Sequence, residues 1–217
     1  MSVTPVDLAS LLCSRLCHDL LSPVGALNNG LELLADETDP AMRDRCMELL
    51  GESARVSANK LKFFRLAFGA GGGFGDAIDA RETQGAVRGL VADNKRLELG
   101  WYVDEPTLSK PATKVLLNLV LVAADALVRG GSLDVGAEET ARGAEIVIKL
   151  EGPRIILDPA LRRMLVDGEG PDEGEAVTAR SAPAYVTHEL VTRTGGSIQV
   201  SEPTDGVMIL GAALRNG

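Results

Sequence analysis

A histidine followed directly by an aspartate, with a proline five positions after the histidine, is the feature of this sequence best suited to chemistry. The three residues are His18, Asp19 and Pro23, in the segment LCSRLCHDLLSPVGALNNGLELL (12–34). A neutral imidazole attacks through one ring nitrogen, while a neighbouring carboxylate accepts a hydrogen bond from the other and stabilises the developing positive charge. The pair therefore makes His18 a candidate nucleophile, with Asp19 as the carboxylate that orients it.

The spacing around His18 predicts a polar face on a long helix. Ser14 and Arg15 lie one turn before it and Ser22 lies one turn after it, whereas leucines recur on another face. A histidine buried in a core would be expected among the leucines, so His18 should project into solvent. An idle surface histidine is the alternative that this geometry leaves open.

Pro23 is predicted to change the helix next to the candidate nucleophile. It has no N–H to donate to the carbonyl of Asp19, one turn earlier, so the helix should bend near His18. The simpler interpretation is a proline kink that only fits the helix to the shape of a bundle. The kink could serve both the bundle and His18.

The composition excludes several function classes. The chain has 217 residues, 45% of them hydrophobic and 3% aromatic, so its core must be built from Leu, Val, Ile and Ala. The formal net charge of -9 disfavours nucleic acid and anionic membrane surfaces as partners. MSVTPVDLASLL has no basic region ahead of its apolar residues, and Asn118 and Asp125 interrupt the most apolar stretch, so neither a secretory signal nor a membrane span is expected.

The cysteines favour a reducing compartment. Cys13, Cys17 and Cys46 are an odd number and do not form a disulfide framework, so a cytoplasmic protein is expected. Together with His18, the three cysteines could be proposed as a zinc site, but no CxxC-like pair supports one. Buried thiols are the preferred interpretation.

The first part of the chain is predicted to be a helical hairpin. Apolar residues recur at helical spacing from Leu8 to Ala35 and again from Pro40 to about Phe68. Because two helices cannot bury both faces by themselves, we expect a second copy to complete a dimeric four-helix bundle. Five glycines among the seven residues 69–75 predict a linker, which separates a domain at 1–70 from one at 76–217.

Beyond the linker, helical and strand patterns alternate. Helices are predicted over 79–92, 109–128 (with Ser109 as N-cap), 158–166 and 179–194, and strands over 97–103, 132–139, 144–151, 197–202 and 206–214. Helices among mainly antiparallel strands indicate an α/β sandwich with helices on one face of the sheet. The expected fold class is α+β, a dimeric helical hairpin followed by this sandwich.

The residues around His18 carry a resemblance to a known family. CHDLLSP (17–23) resembles the H-box of two-component histidine kinases, in which a phosphoacceptor His is followed by an acidic residue and, five positions on, by Pro. The resemblance makes His18 the phosphoacceptor and Asp19 its acidic helper. A helical bundle followed by an α/β sandwich is similar to a kinase dimerisation domain followed by an ATP-binding domain.

The second domain lacks the residues that a kinase of this type uses to bind ATP. Val122 stands at the metal-binding Asn of the kinase N-box, Leu150 at the adenine-binding Asp, and Arg154 at a glycine of the same box. Pro183 falls in the last glycine-rich box, where it has no N–H to offer a phosphate. Segment 167–179 adds five acidic residues and no basic one. We therefore expect a degenerate ATP-binding domain that holds neither ATP nor a metal ion.

Over essentially its full length the chain resembles the ChpT-type histidine phosphotransferases of alphaproteobacteria. The resemblance implies a homodimer without ATP that relays phosphate from the receiver domain of a hybrid histidine kinase (CckA-like) to cell-cycle response regulators (CtrA-like and CpdR-like). Mg²⁺ is then expected on the receiver, and Arg15 and Ser22 are candidate receiver contacts. Arg15 would steady phosphate or pair with a receiver acid, and a solvated surface arginine is the competing interpretation.

Two other function classes stay open. An ATP-dependent sensor histidine kinase core requires the metal-binding Asn and the glycine boxes that are missing here. An interaction scaffold with an incidental His18 is opposed by the spacing of Asp19 and Pro23. The second histidine, His188, lies in the predicted final helix with no acidic residue before it and is predicted to be structural.

Overall fold

The computed structural model describes residues 3–69, 75–92, 94–169 and 177–216. Most of the predicted glycine linker and part of the acidic segment lie outside these ranges. The elements, in chain order, are α1 Pro5–Asp36, α2 Pro40–Ala67, β1 Ala77–Asp79, α3 Ala80–Val91, β2 Leu97–Tyr102, β3 Thr107–Ser109, α4 Lys110–Ala126, β4 Gly131–Thr140, β5 Gly143–Glu151, α5 Pro159–Val166, α6 Ala182–Arg193, β6 Ser197–Val200 and β7 Val207–Arg215.

Helices α1 and α2 form the predicted hairpin. Each begins with a proline in its first turn and a capping side chain before it: Thr4 Oγ1 accepts from the N–H of Asp7, and Asp39 Oδ1 accepts from the N–H of Ala41. The helices are antiparallel, because Arg43 donates to the carbonyl of Leu34 near the turn while Lys60 reaches back to Asp19. The two helices predicted from the apolar spacing are confirmed.

The hairpin leaves apolar side chains uncovered in the single chain. Leu21, Leu33 and Leu49 are 70%, 65% and 61% exposed. Other large apolar side chains of α1 and α2 are also exposed, by 44% to 75%: Val6, Val24, Leu31, Met42, Met47 and Leu61. Burial of such side chains is favourable by about 1.5–3 kcal/mol each. An exposed apolar surface of this extent marks an interaction face.

The second part of the chain is built on a five-stranded sheet of order β2-β4-β5-β7-β6. β2 pairs with β4 in parallel, with Leu99 opposite Leu133, and every other pairing in this sheet is antiparallel. Alternate residues of β5, such as Ile146, Ile148 and Leu150, are buried on one face, as the period of a strand requires. The predicted α/β sandwich is confirmed.

Helix α4 lies at the centre of the core. Its N-cap is Ser109, as predicted, whose Oγ accepts from the N–H of Ala112 at 3.4 Å. Its central side chains are buried almost without exception, which is why its sequence is apolar all round rather than on one stripe. The short strands β1 and β3, which pair antiparallel before α4, were not predicted, since three residues are too few for alternation to show.

The end of the hairpin shares this core. Phe63, Phe64 and Leu66 of α2 are at most 1% exposed and belong to the same buried cluster as the side chains of α4. Asn118 of α4 is fully buried and donates from Nδ2 to the carbonyl of Ala67, at 3.3 Å. That carbonyl ends a helix and has no partner within it, so Asn118 fastens the last turn of α2 onto the second domain.

Candidate functional site

His18 lies on α1 with its ring directed into solvent. The side chain is 85% exposed, and its Nδ1 lies 3.1 Å from Oδ1 of Asp19. Because an ionised carboxylate only accepts hydrogen bonds, this contact favours the tautomer with the proton on Nδ1 and a lone pair on Nε2. The exposure predicted from the polar helix face is observed, and the arrangement is one that an imidazole nucleophile would need.

Asp19 uses its two carboxylate oxygens on two different partners. Oδ1 faces His18, while Oδ2 accepts from Nε of Arg15 at 2.9 Å. The side chain of Asp19 is only 17% exposed, so its charge is partly screened from water. Charge-assisted hydrogen bonds of this kind fix a carboxylate more firmly than neutral ones. The Asp19 carboxylate is therefore held in the orientation that His18 needs.

Arg15 is not the solvated surface arginine of the competing interpretation, which is wrong. The residue is 9% exposed, and its Nη2 donates to Oδ2 of Asp125 at 2.9 Å. Arg15 lies three residues before His18, so the two side chains point in directions about 60° apart around the axis of α1. This difference lets Arg15 reach Asp125 of α4 while His18 faces solvent. A direct role of Arg15 in receiver binding stays a prediction, and the observed contacts are with the acid that orients His18.

The charge of Arg15 is stabilised in this position. Burial of the guanidinium opposes its charge, but attraction to Asp125 and then to Asp19 outweighs that cost, so the pKa of Arg15 is raised above its ordinary value. One guanidinium thus serves two carboxylates, one from each part of the chain.

Lys60 supports the main chain of the site. α1 continues as a helix through Pro23, which is buried and has no N–H for the carbonyl of Asp19. Nζ of Lys60, on α2, donates to that carbonyl at 3.0 Å. The ammonium group therefore satisfies the acceptor that the proline leaves free.

Ser22 and His188 lie where the sequence predicted them. Ser22 is exposed on α1, one turn after His18. His188 of α6 is half-buried, with Nδ1 3.1 Å from the carbonyl of Leu165 and Nε2 3.3 Å from Oγ1 of Thr192. Both ring nitrogens of His188 are engaged within the second domain, so its role there is structural.

Three of the four positions that match kinase nucleotide boxes belong to the packed interior, whereas the fourth, Arg154, is exposed. Val122 is 3% exposed, Leu150 is fully buried on the core face of β5, and Pro183 is buried in the first turn of α6. Within the described ranges, no group of three or more His, Cys, Asp or Glu side chains is arranged to hold a metal ion. Cys13 and Cys17 are exposed and Cys46 is buried, which corrects the expectation that all three thiols are buried.

Sequence reasoning missed Lys60 and Asp125. The carbonyl that Pro23 leaves free was a signal that a donor is needed, and Lys60 lies on the antiparallel helix at a similar distance from the turn. Asp125 is 110 residues from Arg15 along the chain, and only the tertiary fold brings the two side chains together.

Comparison with known proteins identifies the family. A family model for the histidine phosphotransferase C-terminal domain matches residues 80–206. The protein phosphotransferase ChpT of Brucella abortus (strain 2308) is 36% identical over 208 residues, which cover 96% of each chain. The chain belongs to the histidine phosphotransferase family.

One solved structure extends this likeness to the fold. The 1.7 Angstrom structure of a bacterial phosphotransferase is 34% identical, has a TM-score of 0.83 and covers 98% of both chains. The Acinetobacter baumannii histidine kinase AdeS is more distant, with 15% identity, a TM-score of 0.46 and coverage of 91% of this chain and 97% of that one. Within the described residues, no helix of the phosphotransferase has the length and apolar character that crossing a membrane requires.

Proposed function

We propose that this chain is the histidine intermediate of a phosphorelay. His18 accepts a phosphoryl group from the aspartyl phosphate of a hybrid kinase receiver domain and passes it to an aspartate of a response regulator. The observation that carries this proposal is the geometry at His18, where an exposed ring has Nδ1 3.1 Å from a carboxylate and Nε2 makes no hydrogen bond to any described residue. Membership of a family of phosphotransferases supports the same chemistry.

The first transfer is a displacement at phosphorus. The lone pair of Nε2 forms the P–N bond as the bond between phosphorus and the receiver carboxylate oxygen breaks, and that carboxylate leaves with the electron pair. Nδ1 keeps its proton, so the phosphorylated imidazole carries a positive charge. Asp19 stabilises this charge through its hydrogen bond, and Arg15 and Lys60 keep Asp19 in place.

The second transfer reverses these bonds. A carboxylate oxygen of the response regulator attacks phosphorus, the P–N bond breaks, and its electron pair returns to Nε2 to restore the neutral ring. We propose that Mg²⁺ is held by the receiver in both steps and that this chain uses neither ATP nor a metal ion of its own. The relay partners that fit the resemblance are a CckA-like kinase receiver and CtrA-like and CpdR-like regulators, in the cytoplasm, with a role in the cell cycle.

A receiver would approach the face of α1 that carries His18 and Ser22. Both side chains are exposed there and lie one turn apart. We propose Ser22 as a receiver contact, whereas the buried contacts of Arg15 favour a role in orienting Asp19.

We also propose that the hairpin works as a homodimer. Val24 and Leu31, which lie on one side of α1, are 50% and 58% exposed in one chain, and a second copy in a four-helix bundle would cover that side. Such a dimer presents two His18 sites.

The experiment that tests this function compares two phosphoryl donors in parallel. The chain is incubated with a receiver domain carrying radiolabelled aspartyl phosphate, and separately with radiolabelled ATP and Mg²⁺. The relay predicts rapid labelling from the receiver and none from ATP. Labelling from ATP would establish the alternative, an ATP-dependent sensor histidine kinase core, and labelling from neither donor would refute both.

A further inference from the structure

Three hydrogen-bonded contacts connect the nucleophile to the second domain. Nδ1 of His18 lies 3.1 Å from Asp19, Asp19 accepts from Nε of Arg15 at 2.9 Å, and Nη2 of Arg15 donates to Oδ2 of Asp125 at 2.9 Å. Asp125 lies in the last turn of α4, which is the central helix of the second domain. The series thus begins in the hairpin and ends in the domain whose nucleotide boxes are lost.

If the Arg15–Asp125 ion pair were only structural, Arg15 would have no contact with a residue near His18. Arg15 instead divides its donors between Asp125 and the carboxylate that orients His18. A long arginine side chain has many rotamers, and a second anchor at its far end removes that freedom. Asp125 therefore limits where Arg15, and through it Asp19, is placed.

The charges of the series also matter to the phosphorylated ring. Arg15 by itself neutralises Asp19, which would leave little negative charge to oppose the positive charge on His18. Asp125 adds a second negative charge beside the same guanidinium, so Asp19 retains its attraction for the ring. The fourth charged group at this site, Lys60, is directed to the main-chain carbonyl of Asp19 rather than to its carboxylate.

We propose that Asp125 is a positioning residue for phosphotransfer at His18, acting through Arg15 and Asp19. This inference rests on the proposed function of His18, and it gives the degenerate second domain a part in the reaction. The domain no longer supplies a nucleotide, but it supplies the anchor that fixes the acidic helper.

The test compares Asp125→Asn with two other variants. Asp125→Asn keeps the volume and removes the charge, Asp125→Glu keeps the charge, and Asp104→Asn removes an exposed charge elsewhere in the second domain as a matched control. Thermal unfolding followed by circular dichroism identifies a temperature at which all variants are folded. Transfer rates are then measured against the concentration of phosphorylated receiver.

We expect Asp125→Asn to lower the maximal transfer rate about tenfold with little change in the receiver concentration at half-maximal rate. Asp125→Glu should recover most of the rate, and Asp104→Asn should match the parent chain. A rate of Asp125→Asn equal to that of the parent, or a loss that Asp125→Glu does not recover, would overturn the positioning role.

A second readout needs no phosphate and therefore separates the two proposals. NMR of the imidazole nitrogens reports the tautomer of His18, and a His188→Gln background leaves His18 as the only histidine signal. We expect the Nδ1–H tautomer to dominate in the parent chain and to lose population in Asp125→Asn. An unchanged tautomer would contradict the role of Asp125 whether or not transfer is observed, whereas absence of transfer in the parent chain would count against the proposed function alone.

Discussion

Lys60 of α2 donates from its ammonium group to the main-chain carbonyl of Asp19, the acceptor that Pro23 leaves without a helical N–H. A cost of having proline in the helix is thereby offset by a residue from the antiparallel helix. The same contact fixes the backbone of Asp19 next to His18. Proline, lysine and aspartate thus act together, although only the first and last are close in sequence.

Lys60→Met should destabilise the hairpin. It leaves the Asp19 carbonyl without its charged donor, and we expect the free energy of unfolding to fall by about 1.5 kcal/mol. Chemical denaturation measures this loss. Lys62→Met is the matched control, because Lys62 is exposed on the same helix, and its effect should be small.

A double-mutant cycle with Pro23→Ala tests the reason for that loss. The Pro23→Ala substitution restores a backbone N–H that can donate to the Asp19 carbonyl, so Lys60→Met should cost much less in this background. Equal losses in the two backgrounds would show that Lys60 does not compensate for the proline.

Asp19→Asn should slow phosphotransfer while the chain stays folded. The substitution removes the charge that stabilises the phosphorylated ring but changes little volume, and Arg15 keeps its bond to Asp125. Loss of a charge-assisted hydrogen bond predicts a decrease of at least about tenfold in the transfer rate. Rapid-quench kinetics measure it, with Asp36→Asn near the end of α1 as the control. Transfer at the parent rate would remove Asp19 from the mechanism.

The apolar face of the hairpin predicts a homodimer at micromolar concentration. Light scattering should give twice the chain mass for the parent, and the double variant Val24→Glu/Leu31→Glu should be a monomer because it places charges in the apolar interface. Ile209→Glu, which changes an exposed apolar residue of β7, should leave the dimer intact. A monomeric parent chain is incompatible with the four-helix bundle.

Calorimetry with ATP and Mg²⁺ should detect no saturable binding at millimolar nucleotide. Val122 and Leu150 are packed into the core, and Pro183 offers no amide to a phosphate. Each lost charge-assisted hydrogen bond removes about 1.5–3 kcal/mol, so the loss of several weakens binding by orders of magnitude. Micromolar affinity would contradict the loss of the nucleotide site.

The sequence predicted the elements and the exposed position of His18 because both follow from local patterns. Helical spacing of leucines, capping residues such as Ser109, and strand alternation report on neighbours within a few residues. The His18–Asp19 pair is also local. Arg15 shows the limit of this reasoning, since its helix face was assigned to solvent, whereas in the structure the side chain is buried and bonded to Asp125. Asp125 had no local signal at all, because its role depends on a contact across 110 residues.

The position of the phosphoryl group is the most direct test of the account. The chain is phosphorylated by a labelled receiver, and the acid-labile phosphate is mapped by peptide mass spectrometry and phosphorus NMR. The account predicts phosphate on Nε2 of His18 and none on His188, with all label lost in His18→Ala although that variant remains folded. Label that persists in His18→Ala, or phosphate found on Nδ1 of His18, would contradict the mechanism.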